Sequence, residues 1–347
     1  VTDELTEEHL KGCSIAVLVD TPIAQCVRFN GWCRQQSPPT KFIRVDVRGA
    51  FGQVFTDFGP NFVVSDTTGE SPHSGIIAHI SNSNPAVVTV PNDEQVEFGD
   101  GEWVTFKGVE GMSHINDMPP VKILETHMYN FKIDLDTSDT TKFGTYKRDN
   151  LNTYGTVTEA KIAKTLDFKP LADNITNPDF SRDPTGSCGV TDFDKFGRSE
   201  MLHCAFTALD QYREKTGELP PLQDAAAAEE VVKLAEEAKQ AAGIECEIDP
   251  KIVRALSRTA RAVLAPMASI FGGIVGQEVA KAVSNKHHPV FQYVYLDMFE
   301  ILPDLDCTPP AAFAVSADSR YNSMLAVFGK ETVQKLHKFR GFMVGCG

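Results

Sequence analysis

Two hydrophobic patterns near the start of the chain predict an α/β fold. Residues 14–20 (SIAVLVD) are almost continuously apolar, which is typical of a strand buried on both faces. Pro22 then begins a weakly amphipathic helix that runs to about Gln36, and residues 42–47 (FIRVDV) form a second strand. A strand, a helix and a strand at this spacing predict one βαβ unit of a parallel sheet.

After Gly59 the pattern changes to short apolar runs separated by turns rich in Asp, Asn and Gly. These runs predict strands at residues 62–65, 75–80, 86–90, 102–107, 121–124, 130–135 and 156–161. Short strands at this spacing are typical of a small antiparallel barrel or sandwich. Because the run interrupts an α/β pattern, we interpret it as a domain inserted into the α/β domain.

From Ser199 onward the pattern is helical. Ser199 is predicted to cap a helix that Gly217 ends, and a second helix covers residues 224–242. Asp249 followed by Pro250 is typical of the start of a third helix, which carries apolar residues as far as position 263. Three helices with short connections need a fourth partner to bury their apolar sides, so we predict a helical bundle.

Beyond the bundle the chain is expected to return to the α/β sheet. The predicted elements are a helix at 267–284, a buried strand at 292–298, a proline-containing linker at 302–318, a helix at 320–338 and a strand at 342–344. Gly272, Gly273 and Gly276 on the first of these helices would let a neighbouring backbone approach closely. Each glycine costs up to about 1 kcal/mol of helix stability relative to alanine, so packing is expected to offset that loss.

Length and charge limit the class of protein. The 347 residues, of which 42% are hydrophobic, are enough for two or three domains. A formal charge of −14 argues against a nucleic-acid or anionic-membrane partner, because both require a basic surface. The most apolar stretch, residues 262–276, is shorter than the roughly 20 residues needed to span a bilayer. We therefore expect neither nucleic acid nor a membrane as a partner.

The eight cysteines and nine histidines form no recognisable catalytic or metal-binding motif. The cysteines lack CxxC spacing, and in a chain of this length they indicate reduced thiols in the cytosol. Cys246 lies between two glutamates that would raise its pKa, and Cys188 lies in an acidic loop, so neither is expected to act as a nucleophile. His287 and His288 follow a helix and are expected to complement its dipole. No catalytic residue and no metal ligand is predicted.

The end of the chain is similar to the first half of a nucleotide-binding loop. An apolar run leads into Gly345, Cys346 and Gly347, and a Gly-x-Gly turn after a strand begins many phosphate-binding loops. Such a loop needs a following helix whose N–H groups face the phosphates, and we expect that helix to lie outside this chain. Gly345 and Gly347 are the predicted nucleotide-binding residues; incidental glycines at a strand-to-turn transition are the simpler alternative.

Five segments, taken in order, resemble the eukaryotic ubiquitin-activating enzymes. They are residues 46–59 (DVRGAFGQVFTDFG), 191–198 (TDFDKFGR), 266–279 (PMASIFGGIVGQEV), 292–297 with 302–303, and 319–322 with 326–329. The resemblance covers nearly the whole chain. It implies an internal part of an enzyme with two adenylation halves.

The resemblance also implies an order of domains. The later strands of an inactive adenylation domain would occupy residues 1–59, a β-rich insertion called the first catalytic-cysteine half-domain residues 60–168, and a four-helix bundle residues 169–264. The inactive domain would resume at residues 265–304, followed by a linker at 305–319 and the start of the active adenylation domain at 320–347. The implied fold is a partial Rossmann-like adenylation domain with a small antiparallel β insertion and a helical bundle.

The implied parent enzyme uses ATP and Mg²⁺ to adenylate the C-terminus of ubiquitin. It then forms a thioester and passes ubiquitin to conjugating enzymes, in the cytoplasm and the nucleus. In that family the thioester cysteine lies in a later insertion, so none of the eight cysteines here inherits the role. Ser323 stands where related folds carry an arginine that reaches the partner's ATP. The chain alone is therefore expected to bind no cofactor tightly and to be an inactive scaffold that contacts ubiquitin.

Two alternatives belong to other classes of protein. A dinucleotide-binding oxidoreductase truncated within its first glycine fingerprint would also end in Gly-x-Gly, but it leaves the β-rich insertion and the bundle unexplained. A protein-interaction module without a nucleotide partner is the second alternative.

Overall fold

The computed structural model describes residues 6–91, 94–148, 154–180, 195–303 and 319–345. The chain forms two compact units. Unit 1 comprises Val1–Phe62, Thr165–Ser284 and Pro289–Gly347, and unit 2 comprises Val63–Lys164 and Asn285–His288. The fold is a mixed α/β one, as the sequence predicts.

The regular elements are as follows in chain order. The strands are β1 (Ile15–Val19), β2 (Lys41–Arg48), β3 (Phe51–Asp57), β4 (Phe62–Val64), β5 (Ser74–Ile76), β6 (His79–Ile80), β7 (Ala86–Thr89), β8 (Trp103–Lys107), β9 (Val121–Thr126), β10 (Asn130–Ile133), β11 (Thr156–Glu159), β12 (Lys164–Leu166) and β13 (Tyr293–Asp297). The helices are α1 (Ile23–Gln35), α2 (Thr140–Phe143), α3 (Leu171–Thr176), α4 (Arg198–Thr216), α5 (Ala225–Ala242), α6 (Pro250–Thr259), α7 (Ala265–Ser284) and α8 (Asn322–Lys338). Short 3₁₀ turns lie at Glu7–Leu10, Ser113–Asp117 and Phe299–Ile301.

Unit 1 is built on a four-stranded sheet of order β1-β2-β3-β13. Strands β1 and β2 are parallel and α1 connects them, so the predicted βαβ unit is confirmed. The predicted strand at 292–298 is also confirmed, and β13 pairs antiparallel with β3. Strand β3 was not predicted, although all its residues are buried, because glycine, glutamine and threonine interrupt its apolar run.

Two close contacts of glycines fix helices against this sheet. Gly49, at the β2–β3 turn, has φ +56°, and a Cβ there would overlap the side chain of Thr259 at the end of α6. Gly52 in β3 lies under the ring of Phe271 on α7, so a Cβ there would overlap that ring. Only glycine permits these approaches. Helix α7 therefore covers one face of the sheet.

The helical part of unit 1 lies close to the predicted boundaries, but α4, α6 and α7 each differ from them at one end. Gly217 ends α4 as predicted, and Gly243 follows the predicted end of α5; both glycines adopt the left-handed conformation. The predicted cap at Ser199 is wrong, because Gly197 holds the N-cap position and Ser199 is buried within the first turn. Helix α6 ends at Thr259, four residues before the predicted limit. The short helix α3 packs with α4, α5 and α6 in one apolar core.

The exposed side of α7 differs from the sequence prediction. Gly272, Gly273 and Gly276 have no atom within 4 Å of a Cβ built on each of them. The predicted close approach of a neighbouring backbone is therefore not made by any described residue.

Unit 2 contains a seven-stranded antiparallel sheet of order β5-β11-β8-β9-β10-β7-β6 around its own apolar core. The predicted strand at 75–80 is wrong as one element, since it divides into β5 and β6 at opposite edges of that sheet. The division occurs at Ile77, a buried residue whose carbonyl accepts a hydrogen bond from the Tyr146 hydroxyl at 2.7 Å. The other predicted strands overlap β4 and β7–β11, and β4 pairs with the unpredicted β12.

The last described segment forms a helix and an exposed tail. Helix α8 begins two residues after the predicted start and is kinked at Gly329, whose φ is +76°. The predicted strand at 342–344 is wrong: these residues have no strand conformation, and their side chains are 95%, 76% and 84% exposed. An apolar run forms a strand only when another backbone pairs with it, and no described strand does so here. The predicted linker lies mostly outside the described residues.

Candidate functional site

Of the two predicted nucleotide-binding glycines, Gly345 is the last described residue of the exposed tail. Gly345 has φ +75°, the conformation that a glycine turn requires, while Gly347 lies outside the described residues. A phosphate cradle also needs several converging N–H groups, usually from the N-terminus of a helix. The nucleotide-binding role of Gly345 and Gly347 therefore stays a prediction.

A buried row of charged side chains on β2 forms the most organised polar site in unit 1. Arg44, Asp46 and Arg48 alternate along the strand, so they lie on one face of it, and all three are buried. Burying a charge is costly unless another charge or a hydrogen bond compensates it. The contacts of each group therefore decide what this site can do.

Each of these charges has partners. The Nη2 of Arg44 donates to both carboxylate oxygens of Asp210 on α4, at 2.7 and 2.9 Å. The Nε of Arg44 lies 2.8 Å from Oδ2 of Asp46. The same Asp46 oxygen accepts from Gln53 Nε2 at 2.8 Å, and its Oδ1 accepts from Arg48 at 3.2 Å. The row is thus a network of ion pairs and hydrogen bonds that fastens α4 to the sheet.

The network remains charged at neutral pH. Burial opposes the charged form of Arg44, but the carboxylates of Asp210 and Asp46 outweigh it and raise the pKa of Arg44 above its usual value. Burial also raises the pKa of Asp210 to about 6, against the attraction of Arg44. Both members of the pair are therefore ionised near pH 7.

The row opens into a cleft of about 260 Å³ at the carboxyl ends of β1 and β2. Open α/β sheets bind ligands at this edge, which makes the cleft the candidate functional site. Its lining residues are Asp20, Arg48, Arg213, Gly217, Glu218, Leu219, Arg261 and Val263.

The charges at the cleft are already paired with one another. Arg48 and Arg213 both donate to Asp20, the latter at 3.2 Å. Arg261 lies 2.9 Å from Glu218 and also donates to the backbone carbonyl of Leu219. Three guanidinium groups thus face three carboxylates, counting Asp46 behind Arg48. This arrangement is suited to holding β1, β2, α4 and α6 together, and it presents no excess charge to a ligand.

Three of the described cysteines lie in the core of unit 1. Burial raises the pKa of Cys26, Cys33 and Cys204 to about 12 each. Such thiols carry almost no thiolate at pH 7, and thiolate is the reactive form. The backbone N–H groups of His287 and His288 donate to the carbonyls of Asp66 and Thr67. The predicted role of these histidines at the helix dipole stays a prediction.

The described residues contain neither a candidate metal centre nor a candidate membrane span. No group of three or more His, Cys, Asp or Glu side chains in these ranges could hold a metal ion. None of the helices in these ranges is both long and apolar enough to cross a membrane. Cys188, Cys307 and Cys346 lie outside the described residues.

Sequence reasoning missed the charged row, although a signal was present. The segment RVDVR places a charged side chain at every second position of an otherwise apolar strand. Charged side chains at every second position of a buried strand need opposite charges or hydrogen-bond partners within the fold, because burying an unpaired charge is costly. The partners Asp210 and Asp20 could not be identified in advance, because they come from distant elements.

Comparison with known proteins defines the class of this chain. The family model of the ubiquitin-activating enzyme E1 FCCH domain matches residues 83–161, and that of the E1 four-helix bundle matches residues 162–239. Ubiquitin-activating enzyme E1 1 from Arabidopsis thaliana is 41% identical over 349 residues, and ubiquitin-like modifier-activating enzyme 1 from Homo sapiens is 34% identical over 349 residues. Each match covers 100% of this chain and 31% of the relative.

The chain therefore belongs to the ubiquitin-activating enzyme E1 family, and it spans about a third of the length of the curated relatives it matches. The resemblance drawn from the sequence is confirmed. The alternative of a truncated dinucleotide-binding oxidoreductase is wrong, since the matches extend over the whole chain.

Proposed function

We propose that this chain forms a scaffold part of an ATP-dependent enzyme that activates ubiquitin. The parent enzyme would adenylate the C-terminal carboxylate of ubiquitin, form a thioester and pass ubiquitin to conjugating enzymes in the cytoplasm and nucleus. The observation that carries this proposal is the match over 100% of the chain with proteins whose names state ubiquitin activation.

In this proposal unit 1 is a partial Rossmann-like adenylation domain and unit 2 is a domain inserted into it. The course of the chain supports this assignment, since residues 63–164 form one continuous stretch that separates two parts of unit 1. The parallel β1–α1–β2 unit with helices packed on the sheet is the arrangement expected of such a domain.

The scaffold role rests on the chemistry of the described groups. The guanidinium groups at the cleft are engaged with carboxylates of the same unit, and stabilising a transferring phosphate needs donors that are free to face it. ATP and Mg²⁺ would therefore bind to the parent enzyme largely through other residues. Gly345 and Gly347 would supply the first turn of the phosphate loop.

Exchange of pyrophosphate into ATP tests the proposal. This chain, with ubiquitin and Mg²⁺, should show no exchange above background. A longer protein that contains this chain together with the rest of an E1 should show exchange that depends on ubiquitin. Exchange by the chain alone would contradict the scaffold role, and its absence from the longer protein would contradict the proposed function of the parent.

The ubiquitin-contacting surface is proposed to lie on unit 2. Leu124, Met128 and Tyr129 are exposed apolar side chains on the hairpin β9–β10, which we call the apolar hairpin surface. Exposed apolar side chains are a feature of many protein-interaction sites, and these three belong to one hairpin. Immobilised ubiquitin should retain the folded chain at high micromolar concentration. The double variant L124S/M128S should reduce retention, whereas Y154S, an exposed aromatic outside this hairpin, should not.

A further inference from the structure

Strand β5 forms one edge of the seven-stranded sheet of unit 2, and its partner within the sheet is β11. In an antiparallel pair, the backbone groups of alternate residues face the partner strand. The carbonyl of His73 and the N–H of Ile77 both bond on the side of β11, at 2.8 Å each. The N–H and C=O groups of Ser74 and Ile76 therefore point away from β11, towards the edge of the sheet.

These outward groups are largely unpaired. None of the described residues bonds to the N–H or C=O of Ser74 or to the C=O of Ile76. The N–H of Ile76 donates to Oε2 of Glu94 at 3.4 Å, which is longer than the usual limit of about 3.2 Å. Unpaired groups along a strand edge are a template for another strand. Glu94 thus acts as a weak substitute for the carbonyl that a neighbouring strand would offer.

The edge is open because the chain turns away from it after β7. Strand β7 is antiparallel to β6, so a continuation of β7 would run beside β5. Pro91 has no N–H with which to extend the ladder, and the N–H of Glu94 donates back to its carbonyl at 3.0 Å. The N–H groups of Val90 and Val96 donate to carbonyls at the turn of the β9–β10 hairpin, at 3.0 and 3.1 Å. The hairpin thus holds this segment, and a space remains between the segment and β5.

That space is a cavity of about 420 Å³, which we call the β5 cleft. Its volume lies within the range of ligand-binding pockets. Its lining residues are Ser74, Gly75, Ile76, Val90, Glu94, Gln95, Val96, Glu97, Phe98 and Thr156. Two of these ten are glutamates and none is lysine or arginine. The Glu97 carboxylate lies 3.1 Å from the exposed His73 and is itself 67% exposed, so it remains accessible to a further cation.

We propose that the β5 cleft binds an extended peptide segment that carries arginine or lysine. The segment would lie beside β5 as an added strand, accept from the N–H groups of Ser74 and Ile76 and donate to their carbonyls. Its own carbonyl would replace Glu94 at the N–H of Ile76. The carboxylates of Glu94 and Glu97 would then pair with the basic side chains. Backbone pairing provides the affinity in this arrangement, and the two glutamates select the charge of the partner.

A synthetic peptide tests the proposal on the full chain. The probe is fluorescein-labelled TVRVRVT, and its binding is measured by fluorescence anisotropy. Two matched peptides are TVEVEVT, which reverses the charge, and TVRVRVT with N-methyl groups on its valines and arginines, which keeps the charge but cannot pair as a strand. Only the unmethylated arginine peptide should show saturable binding. On binding, the N–H of Ser74 should exchange with solvent at least about tenfold more slowly, because it becomes hydrogen-bonded.

Variants of the chain separate the backbone contribution from that of charge. S74P removes an outward N–H without breaking a bond to β11 and should weaken binding at least about tenfold, whereas S74A keeps that N–H and should bind normally. E94Q/E97Q should weaken binding by about three- to tenfold, as expected for the loss of two exposed ion pairs. E70Q removes an exposed charge outside the cleft and should have no effect. Circular dichroism checks that each variant is folded.

Three results would overturn the proposal. Equal binding of the methylated peptide would show charge attraction without strand addition, and equal binding by S74P and S74A would show that the edge of β5 is not used. A dimer of the chain in sedimentation velocity without peptide, lost in S74P but kept in S74A, would assign the edge to a second copy of this chain instead.

Discussion

The hydroxyl of Tyr295 lies 2.7 Å from Nδ1 of His203, inside the core of unit 1. On the other side of the ring, Nε2 lies 3.0 Å from the carbonyl oxygen of Ile175. A carbonyl can only accept, so Nε2 carries the proton and donates it, while Nδ1 accepts from the tyrosine. The neutral imidazole thus satisfies both partners and joins α3, α4 and β13.

This arrangement predicts loss of stability in acid. Burial lowers the pKa of His203 to about 4 from its ordinary 6.5. The unfolded chain therefore takes up a proton near pH 6.5 and the folded chain only near pH 4. The stability from this group is complete above pH 6.5 and is lost as the pH falls from 6.5 to 4, by up to about 3 kcal/mol.

Urea unfolding of unit 1, followed between pH 7 and pH 4.5, measures this effect. The H203Q variant should be less stable at pH 7, and its unfolding midpoint should decrease less steeply with acid than that of the unmodified chain. An equally steep decrease in the variant would assign the acid sensitivity to other groups.

Asp57 at the end of β3 is predicted to be the most sensitive anchor of α1. Its carboxylate accepts from Arg34 at 2.7 and 2.9 Å, from Asn30 at 2.8 Å and from the backbone N–H of Gly59 at 2.9 Å. In D57N an amide donor would replace one acceptor, and Arg34 would lose its counter-charge. We expect a loss of about 3–5 kcal/mol in the free energy of unfolding.

A matched control for D57N is E8Q, which removes an exposed ion pair with Lys11. That change should stay within about 0.5 kcal/mol, because exposed pairs contribute little. If both variants unfolded at the same urea concentration as the unmodified chain, the anchoring role of Asp57 would be refuted.

The Arg44–Asp210 pair allows a double-mutant cycle. R44M alone leaves Asp46 and Asp210 buried without their main counter-charge and should cost about 3–5 kcal/mol. D210L removes the carboxylate that R44M leaves without its arginine. The double variant R44M/D210L should therefore lose less stability than the sum of the losses measured for the two single variants. The coupling energy from urea unfolding should exceed about 1 kcal/mol. Simple additivity would show that the two side chains do not act as a pair.

The elements that could be predicted are those with local signals. Helix α5 is read from its helix-forming residues, from Asp224 before it and from Gly243 after it, and all of these lie within one short window. Strand β1 is also located from its apolar run, but its predicted burial on both faces is wrong. It lies at the edge of the four-stranded sheet, and Val17 and Val19 are 36% and 65% exposed.

The missed features depend on partners far away in the sequence. Arg44 meets Asp210 across 166 positions, and strand β3 is buried because β2 and β13 flank it and Phe271 covers it. The opposite error occurred at residues 342–344, where an apolar run suggested a strand that no described backbone pairs with. The candidate cleft is limited in the same way: the charged residues of β2 can be recognised in the sequence, but the residues that pair with them cannot.

Two glycines of unit 1 should respond in opposite ways to alanine. In G52A the new Cβ would overlap the ring of Phe271, and both the ring and strand β3 are buried, so one of them must shift within the core. Overpacking of this kind typically costs about 1–3 kcal/mol. In G276A the new Cβ meets no atom within 4 Å, and alanine favours the helix by up to about 1 kcal/mol. Thermal unfolding of both variants should therefore show shifts of opposite sign.

The same G276A variant separates two explanations for the glycines of α7. If they serve close packing against a part of the parent enzyme beyond these residues, G276A should stabilise this chain but weaken the longer protein. If they have no such role, alanine should stabilise both proteins equally. Comparison of the two melting shifts, with Q277A at the neighbouring exposed position as a control for helix propensity, decides between these outcomes.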